Sequence, residues 1–137
     1  MRAAAERLGV ADAFVNLGPI AVADGPATYA TCDALLLPTV LETFSANYPE
    51  AMALGLPIVT SDLDFAHDVC ADAALYVPPR DPAAIAARID DLLRDPALWN
   101  RLIDAGKARL PAFPRPDVRK DLYLDCVRRL LSTTPQA

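Results

Sequence analysis

Residues 38–57 read Pro38-Thr-Val-Leu-Glu42-Thr-Phe-Ser-Ala-Asn-Tyr-Pro-Glu50-Ala-Met-Ala-Leu-Gly55-Leu-Pro57, directly after the apolar run Ala34-Leu-Leu-Leu. That run has the pattern of a strand covered on both faces. Pro49 opens a helix through Leu54, which Gly55 and then Pro57 bring to a stop. The stretch is therefore strand, loop and helix, a unit of a parallel sheet. In open sheets of this kind ligands gather at the carboxyl ends of strands, where N–H groups at a helix start converge. Two carboxylates, Glu42 and Glu50, flank this loop. Glu50 falls in the first helical turn, where the dipole favours an acid in any case. Glu42 serves no helix and by itself reads as an exposed loop acid.

Prolines and glycines divide the rest of the chain in the same way. A helix over Arg2 to Leu8 is expected, then a strand Ala13–Leu17 before Gly18-Pro19, and a short helix Ala27–Thr31. Pro57-Ile-Val-Thr-Ser61 reads as a second buried strand, followed by a helix over Phe65 to Cys70 and a strand Ala74–Val77. Pro82–Arg94 places Ile85, Ile89, Leu92 and Leu93 on one helical face. Pro96–Leu110 and Pro116–Leu131 are further helices, with Leu98, Leu102, Val118, Leu122 and Leu130 expected to face inward. Strands alternating with helices give an α/β class and a Rossmann-like parallel sheet of about four strands. The chain opens on a helix, as though entering such a fold partway through.

With 137 residues, 53% of them hydrophobic, the chain suits one domain with a buried core. The expected division is a single partial domain over 1–137, with an α/β core at 1–111 and a terminal helix at 112–137. No apolar stretch approaches the roughly 18 residues of a membrane span, and the start has no signal-peptide core. A cytoplasmic location is expected.

The net charge of −5 is unevenly laid out. Between Leu8 and Pro79 stand Asp12, Asp24, Asp33, Glu42, Glu50, Asp62, Asp64, Asp68 and Asp72, with no Lys or Arg. The cations from Arg80 onward alternate with acids along helices, the look of solvated faces, so nucleic acid is not an expected partner. Cys32, Cys70 and Cys126 have no metal-ligand spacing and read as small buried hydrophobes in a reducing compartment. His67 is the one histidine, which excludes a multi-histidine metal site. No Gly-x-Ser-x-Gly elbow or Gly-rich phosphate loop is present. Asp62 and Asp64 after a strand would suit a receiver domain, but the first lysine, Lys107, lies inside a helix. Eleven arginines against two lysines, with abundant alanine, point to a GC-rich source genome and say nothing of function.

Glu-x(7)-Glu ahead of Ala-Met-Ala-x-Gly-x-Pro closely resembles the signature of retaining glycosyltransferases with the GT-B fold, the family of sucrose synthases and bacterial hexosyltransferases. Phe14-Val-Asn-Leu-Gly18, Cys32-Asp33-Ala-Leu-Leu-Leu-Pro38, Pro57-Ile-Val-Thr-Ser61 and Ala73-Ala-Leu-Tyr-Val-Pro-Pro79 resemble its flanking segments, in the family's order. The resemblance covers nearly the whole chain.

The resemblance implies a site. Glu50 would accept hydrogen bonds from the donor's ribose hydroxyls, a task suited to a carboxylate that takes two bonds at once. Glu42, the implied catalytic residue, would lie at the transferred sugar. Thr43, Phe44 and Ser45 would turn backbone N–H groups toward the sugar and diphosphate, with Ser45 where a glycine is common. Gly18 to Ile20 would border the base. The implied reaction moves a hexose from a nucleoside diphosphate to an acceptor hydroxyl with retention, without metal or cofactor. The family's Arg and Lys diphosphate clamp, and its N-terminal domain, precede the region this chain resembles. The chain is thus expected to be part of a donor-nucleotide domain, incomplete alone and partnered by the missing N-terminal domain, a second chain or itself. The alternative is a non-catalytic truncated or interaction module that keeps the fold.

Overall fold

Runs of apolar residues held between proline and glycine signals supply the strands of this chain, and Asp-Pro pairs open its two regular amphipathic helices. The computed structural model describes residues 2–133. They divide into two compact units, one ending at Thr31 and the other starting at Cys32.

The first unit contains α1 (Arg2–Arg7), 3-10 turns at Ala11–Ala13 and Val22–Asp24, and α2 (Gly25–Tyr29). The strand expected at Ala13–Leu17 does not form. A strand is stabilised by its neighbours, and here a local bond competes. Asn16 Oδ1 accepts the Gly18 N–H at 3.0 Å, turning the chain, and Val15 and Leu17 are left exposed.

The second unit is built on a parallel sheet of three strands, β1 (Leu35–Leu37), β2 (Ile58–Ser61) and β3 (Ala74–Val77), in that order. The expectation of about four strands is corrected by the one strand missing from the first unit. Leu35 pairs with Ile58 and Leu37 with Thr60; Ile58 pairs with Ala74 and Ser61 with Val77. The central strand β2 is buried along its whole length. Its alternation divides the core. Ile58 packs with Tyr48, Met52, Ala66 and Cys70, while Val59 packs with Val77, Leu92 and Leu102.

Between the strands run α3 (Asn47–Leu54) and α4 (Asp64–Cys70); α5 (Pro82–Arg94) and α6 (Pro96–Arg109) follow. Asp81 Oδ1 accepts the N–H groups of Ala83 and Ala84, and Asp95 Oδ1 those of Ala97 and Leu98, so both helices start on a side-chain cap. Helix α6 lies close on α3 at Gly106, where a Cβ would stand 3.2 Å from Met52 Cγ. Leu92 is buried as expected, whereas Leu93 is 67% exposed, because the two neighbours point about 100° apart around the helix.

Helix α3 ends at Gly55, whose φ of 72° is left-handed. The Leu56 N–H bonds Ala51 O at 2.9 Å and the Gly55 N–H bonds Met52 O at 3.2 Å, the Schellman arrangement. There is room for a methyl group, since the nearest atoms would be 3.8 Å away, so only backbone strain opposes alanine. Gly55→Ala is expected to cost about 1–2 kcal/mol in urea denaturation, the penalty of an L-residue in this conformation.

After a 3-10 turn at Leu110–Ala112, α7 (Pro116–Thr133) completes the described chain. Val118, Leu122 and Leu130 are exposed on it, contrary to the expectation that they face inward. Helical spacing identifies an apolar face without supplying the surface that covers it.

Candidate functional site

The segment from β1 to α3 leaves the sheet at its carboxyl edge. Pro38, which has no N–H, ends β1, and the loop 38–46 leads into α3 two residues earlier than Pro49 suggests. The end of β2 holds the start of this loop. Thr60 Oγ1 donates to Leu37 O at 3.0 Å, and Ser61 Oγ donates to Thr39 O. The fully buried Tyr48 lies 2.8 Å from Thr60 Oγ1 through its hydroxyl. Thr60 has one proton and gives it to Leu37, so the phenol is the donor to Thr60. The Thr39 hydroxyl, buried beside the phenol, finds no partner with hydrogen-bond geometry among the described residues.

Glu42 is half-buried in the loop and Glu50 is exposed on the first turn of α3. The Glu50 N–H bonds Ala46 O at 3.1 Å, so its side chain projects from ordered helix. Burial raises the Tyr48 phenol above its ordinary value, and the negative charge of Glu42 adds a smaller push in the same direction. Thr43 and Phe44 are exposed, and the Phe44 ring stands 6.2 Å from that of Phe113 at 56°. Ser45 is buried, and its carbonyl accepts the Tyr48 N–H at 3.3 Å. Its φ is not positive, so serine in place of glycine costs no backbone strain. One loop and helix thus carry Glu42, Thr43, Phe44, Ser45 and Glu50. Gly18 and Ile20 belong to the first unit, where both are exposed.

Tyr48, Thr60 and Ser61 were not evident as site residues from sequence. Two hydroxyls closing an otherwise apolar buried strand were the available signal. Arg109 is committed to structure: its Nε donates to Val69 O at 3.1 Å and its Nη2 to Asp68 O at 2.8 Å, capping α4 where carbonyls lack partners. His67 is exposed, stacked on Tyr76 at 3.8 Å, with Nε2 2.7 Å from Asp62 Oδ1.

The sequence model of the family described as "Glycosyl transferases group 1" matches residues 1–109. The chain belongs to that family. Among its relatives in this glycosyltransferase family, O-antigen chain mannosyltransferase B of Escherichia coli is 34% identical over 98 residues, which is 71% of this chain and 26% of that protein. A phosphatidyl-myo-inositol mannosyltransferase of Mycobacterium leprae is 35% identical over 101 residues, 72% of this chain and 27% of its own. A glycogen synthase of Mycobacterium tuberculosis is 36% identical over 80 residues, 57% of this chain and 19% of its own. The chain therefore spans about a quarter of the length of the first two relatives. The sucrose-phosphate synthase of Thermosynechococcus elongatus superposes with a TM-score of 0.85 at 24% identity, over 96% of this chain and 34% of that one. The glycosyltransferase group 1 chain thus has a fold of the GT-B type.

Three buried or partly buried acids, Cys70, Tyr48 and Tyr76, lead to an expected loss of stability at alkaline pH. Burial pushes the Cys70 thiol up to about 12, against a lowering by Arg109. Burial likewise raises the phenols of Tyr48 and Tyr76. In each case the folded state holds its proton more tightly than the unfolded chain, so the contribution is complete below the unfolded value and lost as pH rises through the folded one. The urea midpoint is expected to fall steadily above about pH 9, where the unfolded thiol begins to ionise. Of the three cysteines expected to be buried only Cys70 is, so a thiol reagent at about pH 8 is expected to label the exposed Cys32 and Cys126 while Cys70 reacts only on unfolding. Fast labelling of Cys70 in the native chain would contradict this.

Proposed function

We propose that the loop 38–46 and the first turn of α3 bind a nucleoside-diphosphate-sugar donor for retaining transfer of a hexose to an acceptor hydroxyl. The observation that carries this is the placing of Glu42 and Glu50 on one ordered loop and helix at the carboxyl edge of a parallel sheet. A carboxylate in an exposed first turn accepts both hydrogens of a vicinal diol, which a ribose offers. A second carboxylate in the adjoining loop suits sugar hydroxyls. Family membership and the names of the relatives support a glycosyl transfer reaction. No resident metal or cofactor is proposed, since the nucleotide-sugar is itself the substrate.

Departure of a diphosphate from an oxocarbenium-like sugar calls for fixed positive charge. No Lys or Arg stands between residues 8 and 79, and Arg109 is held on α4. We therefore assign the diphosphate clamp to a part of the enzyme outside this stretch, on an N-terminal domain or a second chain. This chain by itself holds the donor and does not transfer it. The same lack of cations favours one further reading, a module that keeps the fold without the chemistry. Hydrogen exchange with and without UDP-, GDP- and ADP-sugars separates the two. Donor binding is expected to slow exchange across 42–50, and unchanged exchange there with every donor would leave the second reading.

A further inference from the structure

We propose that Thr60, Ser61 and Tyr48 are positioning residues that fix the Glu42 loop and thereby set how strongly the sugar part of a donor is held. This rests on the donor-binding reading of the loop given above.

The two hydroxyls at the end of β2 take the carbonyls on either side of Pro38, Leu37 O and Thr39 O. These are the points where the chain leaves the sheet. Beyond them, among the described residues, positions 40–44 make no hydrogen bond, and regular bonding resumes only with Ser45 O and Ala46 O at the helix start. A loop of this kind is held at its ends and by the packing beneath it. Phe44 packs against Phe113, and Tyr48 donates its N–H to Ser45 O while its phenol completes the relay Tyr48 to Thr60 to Leu37. One buried relay therefore connects the strand end and the loop exit to α3, on either side of the segment that carries Glu42. Glu50 is fixed separately by the backbone of α3. The geometry thus divides the site into a helix-borne contact for the nucleoside and a loop-borne contact for the sugar; Ser61 holds only the loop, whereas Thr60 holds the loop exit and also accepts from the Tyr48 phenol of α3.

The division gives a test that a merely structural role would not pass. The chain and its Thr60→Val, Thr60→Ser and Ser61→Ala variants are titrated calorimetrically with a nucleoside diphosphate and its hexose conjugate. Thr60→Val keeps the shape and removes the hydroxyl; Thr60→Ser keeps the hydroxyl. Thr60→Val and Ser61→Ala are expected to weaken the hexose conjugate about 3–10-fold, the worth of one hydrogen bond, with the plain diphosphate within about 2-fold of the parent. Thr60→Ser is expected to restore the parent ratio. An unchanged ratio in both Thr60→Val and Ser61→Ala would overturn the proposal. Hydrogen exchange of 38–46 in the same variants needs no ligand. Faster exchange confined to that segment supports the pinning, and exchange equal to the parent refutes it, even should the parent bind no nucleotide and the donor reading itself fail.

Discussion

Tyr48→Ala is expected to lower the stability of the chain by about 3–5 kcal/mol, the largest effect of any single substitution considered for this fold. Tyr48 is fully buried and packs against Met52 and Ile58 in the core beside β2. Truncation removes an aromatic ring's worth of burial and leaves a cavity between α3 and the sheet. It also removes the donor to Thr60 Oγ1. Domains of this size are stable by roughly 5–15 kcal/mol, so the variant is expected to be partly unfolded at 37 °C. Tyr48→Phe separates the terms: it keeps the ring and loses the hydroxyl, at about 1–2 kcal/mol. Urea denaturation of the two variants checks both values. A loss below about 1 kcal/mol for alanine would mean that the core closes over the gap, against the packing described.

The second large effect concerns binding. Glu50→Ala is expected to weaken nucleotide affinity about 10–100-fold while changing stability by no more than about 1 kcal/mol. Its side chain is exposed and serves the fold only through the favourable field of the α3 start. In the proposed complex it takes two charge-assisted bonds from one diol, each stronger than a neutral bond. Glu50→Gln keeps the shape and one acceptor oxygen and should fall between the two. Affinities within 2-fold of the parent for both variants would remove Glu50 from the site, given the roughly 1.5–3 kcal/mol such bonds contribute.

What could be read from sequence follows what is local. Asp81-Pro82 and Asp95-Pro96 state the starts of α5 and α6 directly, because a carboxylate cap and a residue without N–H are both local requirements of a helix start. The runs at 35–37, 58–61 and 74–77 were legible because a parallel strand is apolar on both faces. The segment 13–17 looks equally apolar and is not a strand, since pairing is decided by a neighbour that the segment does not contain. Exposure of Val118 and Leu122 on α7 has the same origin. In the candidate site, Glu50 was visible as a first-turn acid. The hold of Thr60 and Ser61 on Leu37 and Thr39 was not, because it joins residues more than twenty positions apart through a register that only the folded sheet sets.

The most direct measurement is a calorimetric titration of this 137-residue chain with UDP, GDP, ADP and their hexose conjugates. The account predicts saturable binding that selects one base, tightens with the hexose attached, and weakens about 10–100-fold in Glu50→Ala. Heats of dilution alone for every nucleotide up to about millimolar concentration, an affinity floor near 4 kcal/mol, would contradict the claim that this loop and helix hold the donor unaided.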